Sequence, residues 1–247
     1  AFVLKARIKF CKYGSMKYIG HLDIMRYFQK AIRRSGLPIK YSEGFNPHQI
    51  MSFAAPLGVG ITSDGEYMDI ELKEFVPSKE AQERLQDTMV EGMKIASFRY
   101  LPDGAKNAMS SVTAASYRLM YKHPEAFAYS FVQLQDAKKA FFDDAEHIFI
   151  VKKTKKGERE LDLKPLIYDF SISQENTLPQ APSIVFDLTV STGSTDNIKP
   201  ELVLEHFFKY LGKEDLGRYD FFIHRKDMLT GEVGQFVSLG EIGNDKE

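Results

Sequence analysis

Residues 2–10, "FVLKARIKF", alternate: Leu4, Ala6, Ile8 and Phe10 fall on one face, Lys5, Arg7 and Lys9 on the other. A period of two predicts a strand with one face in the core. "GHLDIMRYFQKAIRRS" (20–35) then places Leu22, Met25, Phe28, Ala31 and Ile32 at helical spacing. Asp23, Arg26, Lys30 and Arg33 lie opposite, with Arg34 beside them, and Gly36 and Pro38 end the helix. "QIMSFAA" predicts a strand. "GEYMDIEL" predicts a clearer one, because Met68, Ile70 and Leu72 alternate with Tyr67, Asp69 and Glu71. "PSKEAQERLQDTMV" opens on a helix-start signal and keeps helical spacing through Ala81, Leu85 and Met89, and "MKIASFRYL" closes as a strand. Strand, helix, strand, strand, helix, strand is the split βαβ, ferredoxin-like order.

The Pro, Gly, Ser and Asn content of "LPDGAKNAMSSVT" predicts a linker over 102–112. A similar rhythm then restarts: a strand in "SYRLMYK", a helix in "SFVQLQDAKKAFFDD", and a hairpin in "HIFIVKKTKKGERELDL" turning near Gly157. Strands in "LIYDFSI" and "SIVFDLTV", a helix in "KPELVLEHFFKYL" and a strand in "RYDFFIHR" complete it. The two halves share no sequence repeat. The expected fold class is α+β, two tandem ferredoxin-like (βαββαβ) domains, the second with an extra hairpin. The expected boundaries are 1–101 for a basic first domain, 113–226 for the second, and 227–247 for an extended tail.

A net charge of −1 hides an asymmetry. Residues 1–50 hold ten lysines and arginines against Asp23 and Glu43, a net +8 that leaves −9 for the rest. Such a division predicts an anionic partner for the first segment, or else simply the solvated faces of a strand and a helix. With 43% hydrophobic and 27% charged residues the composition is that of a globular chain. No apolar run approaches the roughly 18 residues that span a bilayer, and the N-terminus lacks a secretory pattern, so no membrane partner is expected. One cysteine, Cys11, excludes an intrachain disulfide, an all-cysteine metal cage and a three-cysteine iron–sulfur motif, and predicts a reducing, cytoplasmic setting.

The phosphate loop, the dinucleotide fingerprint, the zincin helix and the nucleophile elbow are all missing. Histidines 21, 48, 123, 147, 206 and 224 lack metal-ligand spacing, so neither metal nor cofactor is expected in this chain. One loop, "YSEGFNPH" (41–48), is chemically dense. Gly44 and Pro47 give it a turn, Tyr41 or Phe45 could stack on a base, and Ser42, Glu43, Asn46 and His48 offer polar contacts. As a plain turn it would instead use Phe45 as a core plug. His21, at the first turn of the basic helix, reads either as a polar helix-start residue or as a ligand or acid–base group. Lys152, Lys153, Lys155 and Lys156 in "KKTKKGER" form a basic hairpin tip, useful for solubility or for a phosphate backbone.

"HLD" (21–23), "RR-GLP" (33–38), "YSEGFNPH" (41–48), "SFAAPLGVG" (52–60) and "GEYMDIEL" (65–72) together resemble the radical-SAM-linked bacterial domain family of unknown function. The later "TKKGERELDLKPLI" and "KPELVLEHFF" resemble it more weakly. The resemblance implies a separate radical SAM protein as partner. At the level of fold alone the order is also similar to repeat-associated RNA-processing endoribonucleases with two ferredoxin-like domains. The expected function is an RNA-binding or substrate-presenting accessory protein, contacting RNA through Lys5, Arg7, Lys9, Arg26, Lys30, Arg33, Arg34 and the loop. Two alternatives stand beside it: a protein scaffold without nucleic acid, and a metal-independent ribonuclease using His21, Tyr41 or His48, and Arg26 or Arg33.

Overall fold

The computed structural model describes residues 3–176, 182–194 and 196–247. It is a mixed α+β chain that divides into two compact units, Ala1–Ala114 with Arg225–Glu247, and Ala115–His224. Among the described residues no helix is long and apolar enough to cross a membrane.

The first unit runs β1 (Leu4–Lys12), α1 (His21–Ser35), β2 (Met51–Phe53), β3 (Thr62–Leu72), α2 (Ser78–Gln86), β4 (Met93–Tyr100) and the short α3 (Ala108–Ser111). β1 lies between β4 and β3, antiparallel to both, and β2 pairs antiparallel with β3. Ala6, Ile8 and Phe10 of β1 pack with Met68 and Ile70 of β3 against Ile24, Phe28, Ala31 and Ile32 of α1 and Ala81 and Leu85 of α2. The Phe10 and Phe28 rings stand 4.7 Å apart at the centre. Gly36, left-handed at φ 69°, ends α1 at the expected glycine. Leu22, expected on the buried stripe, is 69% exposed and Ile24 takes its place. Six residues separate Leu22 from Phe28, which turns it about 120° off the stripe at 3.6 residues per turn.

The second unit holds β5 (Ala114–Tyr121), α4 (Phe131–Lys138) with a π turn at Lys139–Asp143, and the hairpin β6 (Phe149–Thr154) and β7 (Gly157–Asp162). β8 (Ile167–Glu175), β9 (Ser183–Ser191), α5 (Pro200–Tyr210) and the first residues of β10 (Phe221–Thr230) follow. β9 lies between β5 and β8, and β5 has β10 as its other neighbour. Phe170, Phe186, Phe207 and Phe208 form its aromatic core. A reciprocal capping box, Ser130 with Gln133, starts α4 where "SFVQ" stands.

Two expected segments are corrected. Residues 227–247 are no tail: β11 (Val237–Ser238) pairs with β10, Leu239 is fully buried, and Asn244 exchanges backbone hydrogen bonds of 2.9 Å with Tyr100. Nor is 102–112 a free linker, because Ala108 is fully buried and its N–H donates to Asp69 at 2.7 Å. Both segments are held by short pairings and single hydrogen bonds, which leave no periodic trace in the sequence.

Candidate functional site

The basic residues of the first unit do not converge. Ala6, Ile8 and Phe10 face the helices, so Lys5, Arg7 and Lys9 face away from α1. Arg7 is 2% exposed and is a structural ion pair rather than a nucleic-acid contact. Its Nε and Nη2 donate to the two Asp69 carboxylate oxygens at 2.8 and 3.0 Å, and two of its other hydrogens reach the Leu239 and Lys106 carbonyls. Lys5 is exposed, while Lys9 is half-buried and lies over the Tyr67 ring at 5.9 Å.

Arg26, Lys30, Arg33 and Arg34 of α1 are all exposed. The first three, at i, i+4 and i+7, line a strip about 10 Å long. Arg26 leans 3.5 Å from Asp23, and Arg34 donates to the Thr88 carbonyl at 3.3 Å, so the strip is only loosely held.

The loop 41–48 is ordered and stands in water. A bridge joins Tyr41 to Gln49, the Ser42 N–H donates to the His48 carbonyl at 2.8 Å, and Ser42 Oγ lies 2.9 Å from His48 Nδ1. Gly44 at φ 113° makes the tip, a conformation that side chains rarely adopt. Glu43, Asn46 and His48 are exposed, Tyr41 lies under Lys73 at 5.7 Å, and Phe45 is wholly exposed, not a core plug. The loop is fastened to α1 where Gln49 Nε2 donates to the Gln29 carbonyl at 3.0 Å. That anchor lies eight residues from His21, about 12 Å along the helix axis. His21 is therefore not assembled with Tyr41 or His48 into one catalytic group. In the second unit Lys152, Lys153, Lys155 and Lys156 are exposed around the hairpin turn, with Lys152 opposite Arg159 and Lys153 opposite Glu158.

His21 belongs to a different place, a recess with a volume of about 20 Å³, room for one water, walled by Phe10, Lys12, Ile24, Phe53, Ala54–Leu57, Glu66 and Tyr67. Sequence reasoning missed Lys12, Glu66 and Arg225. Arg225 Nη2 and Nε donate to Glu66 at 2.6 and 2.9 Å and to the Ala55 carbonyl at 2.7 Å, and Ser63 Oγ donates to Glu66 at 2.6 Å. Gly65 makes this possible: a Cβ there would come 2.7 Å from the Asp227 Cα, so only glycine lets β10 close on β3. The signal was present. Each strand breaks an inward apolar alternation with a charge: Phe10 to Lys12, Met68 back to Glu66, Ile223 to Arg225. On the sheet's other face Tyr67 donates to Asp227, which also accepts from Ser238 at 2.6 Å; burial and the Asp227 charge push the Tyr67 phenol far up.

Burial pushes the His21 imidazole below its ordinary 6.5, opposed by Glu66 and reinforced by Lys12, and pushes His206 of α5 down as well. Both are thus favoured neutral in the folded chain, while the unfolded chain takes up its protons near 6.5. The stability they carry is complete above that value and is lost as pH falls through it. Denaturant midpoints are expected to decline from pH 7.5 to 5, less steeply in His21→Gln. A slope unchanged in that variant would mean that His21 is as well solvated folded as unfolded.

A family model described as "Uncharacterized protein conserved in bacteria (DUF2344)" matches residues 5–200. No curated protein matches. Among solved structures, DyPB from Rhodococcus jostii RHA1 is 9% identical with a TM-score of 0.22, covering 90% of this chain and 89% of its own. The dye-decolorizing protein from V. cholerae is 9% identical with a TM-score of 0.19, covering 91% of each. Likenesses at those TM-scores carry no argument about this chain.

Proposed function

We propose that this chain, which belongs to the uncharacterized bacterial family DUF2344, is a binding module that holds single-stranded RNA for a separate radical SAM enzyme. The observation that carries the reading is Phe45, wholly exposed at the tip of a hydrogen-bonded loop that is fastened beside Lys30 and Arg33. A large apolar ring held in water by an ordered loop adds nothing to the fold and is fit to stack on a base. The cationic strip of α1, the helix to which Gln49 holds the base of the loop, supplies phosphate contacts. The radical SAM partner rests on the resemblance of "YSEGFNPH" and its neighbouring motifs, and Lys5 and the hairpin lysines are left as peripheral contacts. The finer fold reading, two tandem ferredoxin-like units, is supported by matching strand orders. These are β4-β1-β3 with β2 on β3 in the first unit, and β10-β5-β9-β8 in the second, with β6–β7 as the extra hairpin.

Binding of a short single-stranded RNA, followed by fluorescence anisotropy, tests the reading. With Lys30, Arg33 and Arg34 on phosphates, the logarithm of affinity should fall against that of salt with a slope of about −2, from about −0.7 per phosphate. Phe45→Ala should weaken binding about 10-fold or more, as loss of a stacked base costs about 1–3 kcal/mol, with an unchanged melting temperature. Salt-independent binding, or full affinity in Phe45→Ala, would refute it. Because Phe45 has no polar atom, it also suits an apolar pocket on the enzyme. A complex formed without RNA, insensitive to salt and lost in Phe45→Ala, would establish the scaffold function instead.

A further inference from the structure

A hollow of about 200 Å³ opens in the first unit on the sheet face turned away from α1, between β1, β2, β3 and the start of α3. Lys5, Ser52, Asp69, Glu71 and Asn107 are its polar lining, and Ile50 gives an apolar wall. Asp69 is spent, accepting from Arg7 and from the Ala108 N–H. The others are not. Among the described residues, neither the Lys5 ammonium nor the Ser52 hydroxyl has a hydrogen bond. Asn107 Oδ1 accepts the Ser110 N–H at 2.9 Å, which fixes the amide and leaves both Nδ2 hydrogens unspent. The Glu71 side chain is only 18% exposed, yet it too has no hydrogen bond among the described residues; Lys40, its ion-pair partner, stands 3.6 Å off at the surface. Lys5 and Glu71 are direct neighbours across β1 and β3. Opposite charges so placed attract, but no ion pair joins these two among the described residues.

We infer that this hollow is a binding site for a small α-amino acid, taken as its zwitterion, with the carboxylate on Lys5 and Asn107 and the ammonium on Glu71. The lining offers unspent groups of both signs side by side, so it suits a ligand that carries both and is neutral overall. A simple anion would meet Lys5 but stand against the Glu71 carboxylate, and a simple amine would meet Glu71 but stand against Lys5. A half-buried carboxylate without hydrogen bonds is costly, and an ammonium with three donors relieves that cost. At about 30 Å³ per water the volume has room for roughly six or seven waters, the bulk of a small amino acid rather than of a nucleotide. Ile50 then faces a short aliphatic side chain. Apart from Lys5, the site shares no residue with the contacts proposed for RNA.

Titrating the whole chain with L-alanine at neutral pH and constant ionic strength tests the site. Sodium acetate and ethylammonium chloride are the comparators, each supplying one of the two charges. The Asn107 side-chain amide resonances, identified by their loss in Asn107→Asp, and the melting temperature are the two readouts. Saturable changes in both are expected with L-alanine, with acetate and ethylammonium binding at least about 10-fold more weakly. Lys5→Met and Glu71→Gln should each lose affinity for L-alanine about 10- to 100-fold, the worth of one charge-assisted hydrogen bond. Neither side chain has a hydrogen bond to lose, so both variants should fold as the native chain does. Asn107→Asp keeps the oxygen that caps α3 and should bind more weakly by melting temperature, because a carboxylate replaces the amide donor. An unsaturable response, acetate or ethylammonium binding as tightly as L-alanine, or full affinity in Lys5→Met or Glu71→Gln would overturn the site. Should either variant not fold, the order of the three ligands on the native chain decides alone.

Discussion

Asp69→Ala is expected to lower the stability of the chain by about 3–5 kcal/mol, the usual cost of removing one partner from a buried ion pair. Asp69 accepts from two nitrogens of Arg7 and from the backbone N–H of Ala108 at 2.7 Å. Among the described residues, alanine would leave a guanidinium at 2% exposure with the Leu239 and Lys106 carbonyls alone, and the Ala108 N–H without its acceptor. Because Asp69 joins β3 to the segments 102–112 and 237–241, these should loosen first, seen as faster amide exchange at Ala108 and Leu239. Urea unfolding of Asp69→Ala measures the effect. A loss below about 1 kcal/mol would mean that water reaches Arg7 once the carboxylate is gone. RNA affinity at a temperature where the variant stays folded should be unchanged, since Arg7 faces away from α1.

Glu66→Ala is expected to cost a similar amount, about 3–5 kcal/mol, and the double variant Glu66→Leu with Arg225→Met far less. The single substitution removes both carboxylate contacts of Arg225, which is 2% exposed, and the acceptor of Ser63. The double substitution removes both desolvated charges and fills the space with apolar side chains. A cycle of the native protein, Glu66→Leu, Arg225→Met and the double variant by urea unfolding should give a coupling of at least about 2 kcal/mol. Additive losses would show that the two side chains act separately and that the bidentate geometry of 2.6 and 2.9 Å contributes little.

Much of the architecture was legible because its signals are local. The alternation of Leu4 to Phe10, the stripe of α1 and its end at Gly36 each depend on residues a few positions apart, within reach of a dihedral preference or a helical turn. The exposure of Glu43, Asn46 and His48 was legible too, since burying three such groups in one loop is costly. The fate of Arg7 was not. Alternation assigns Arg7 to the face away from the helices, but what covers that face comes from residues 62, 99 and 232 positions away. The same holds for the recess: Lys12, Glu66 and Arg225 each interrupt an apolar alternation, yet Glu66 and Arg225 are 159 residues apart and meet only because Gly65 admits β10. Sequence by itself determined most strands and helices and the exposure of the loop's polar side chains. Which charges neutralise one another was decided by tertiary structure, because the pairing of buried charges depends on distances that no local preference sets.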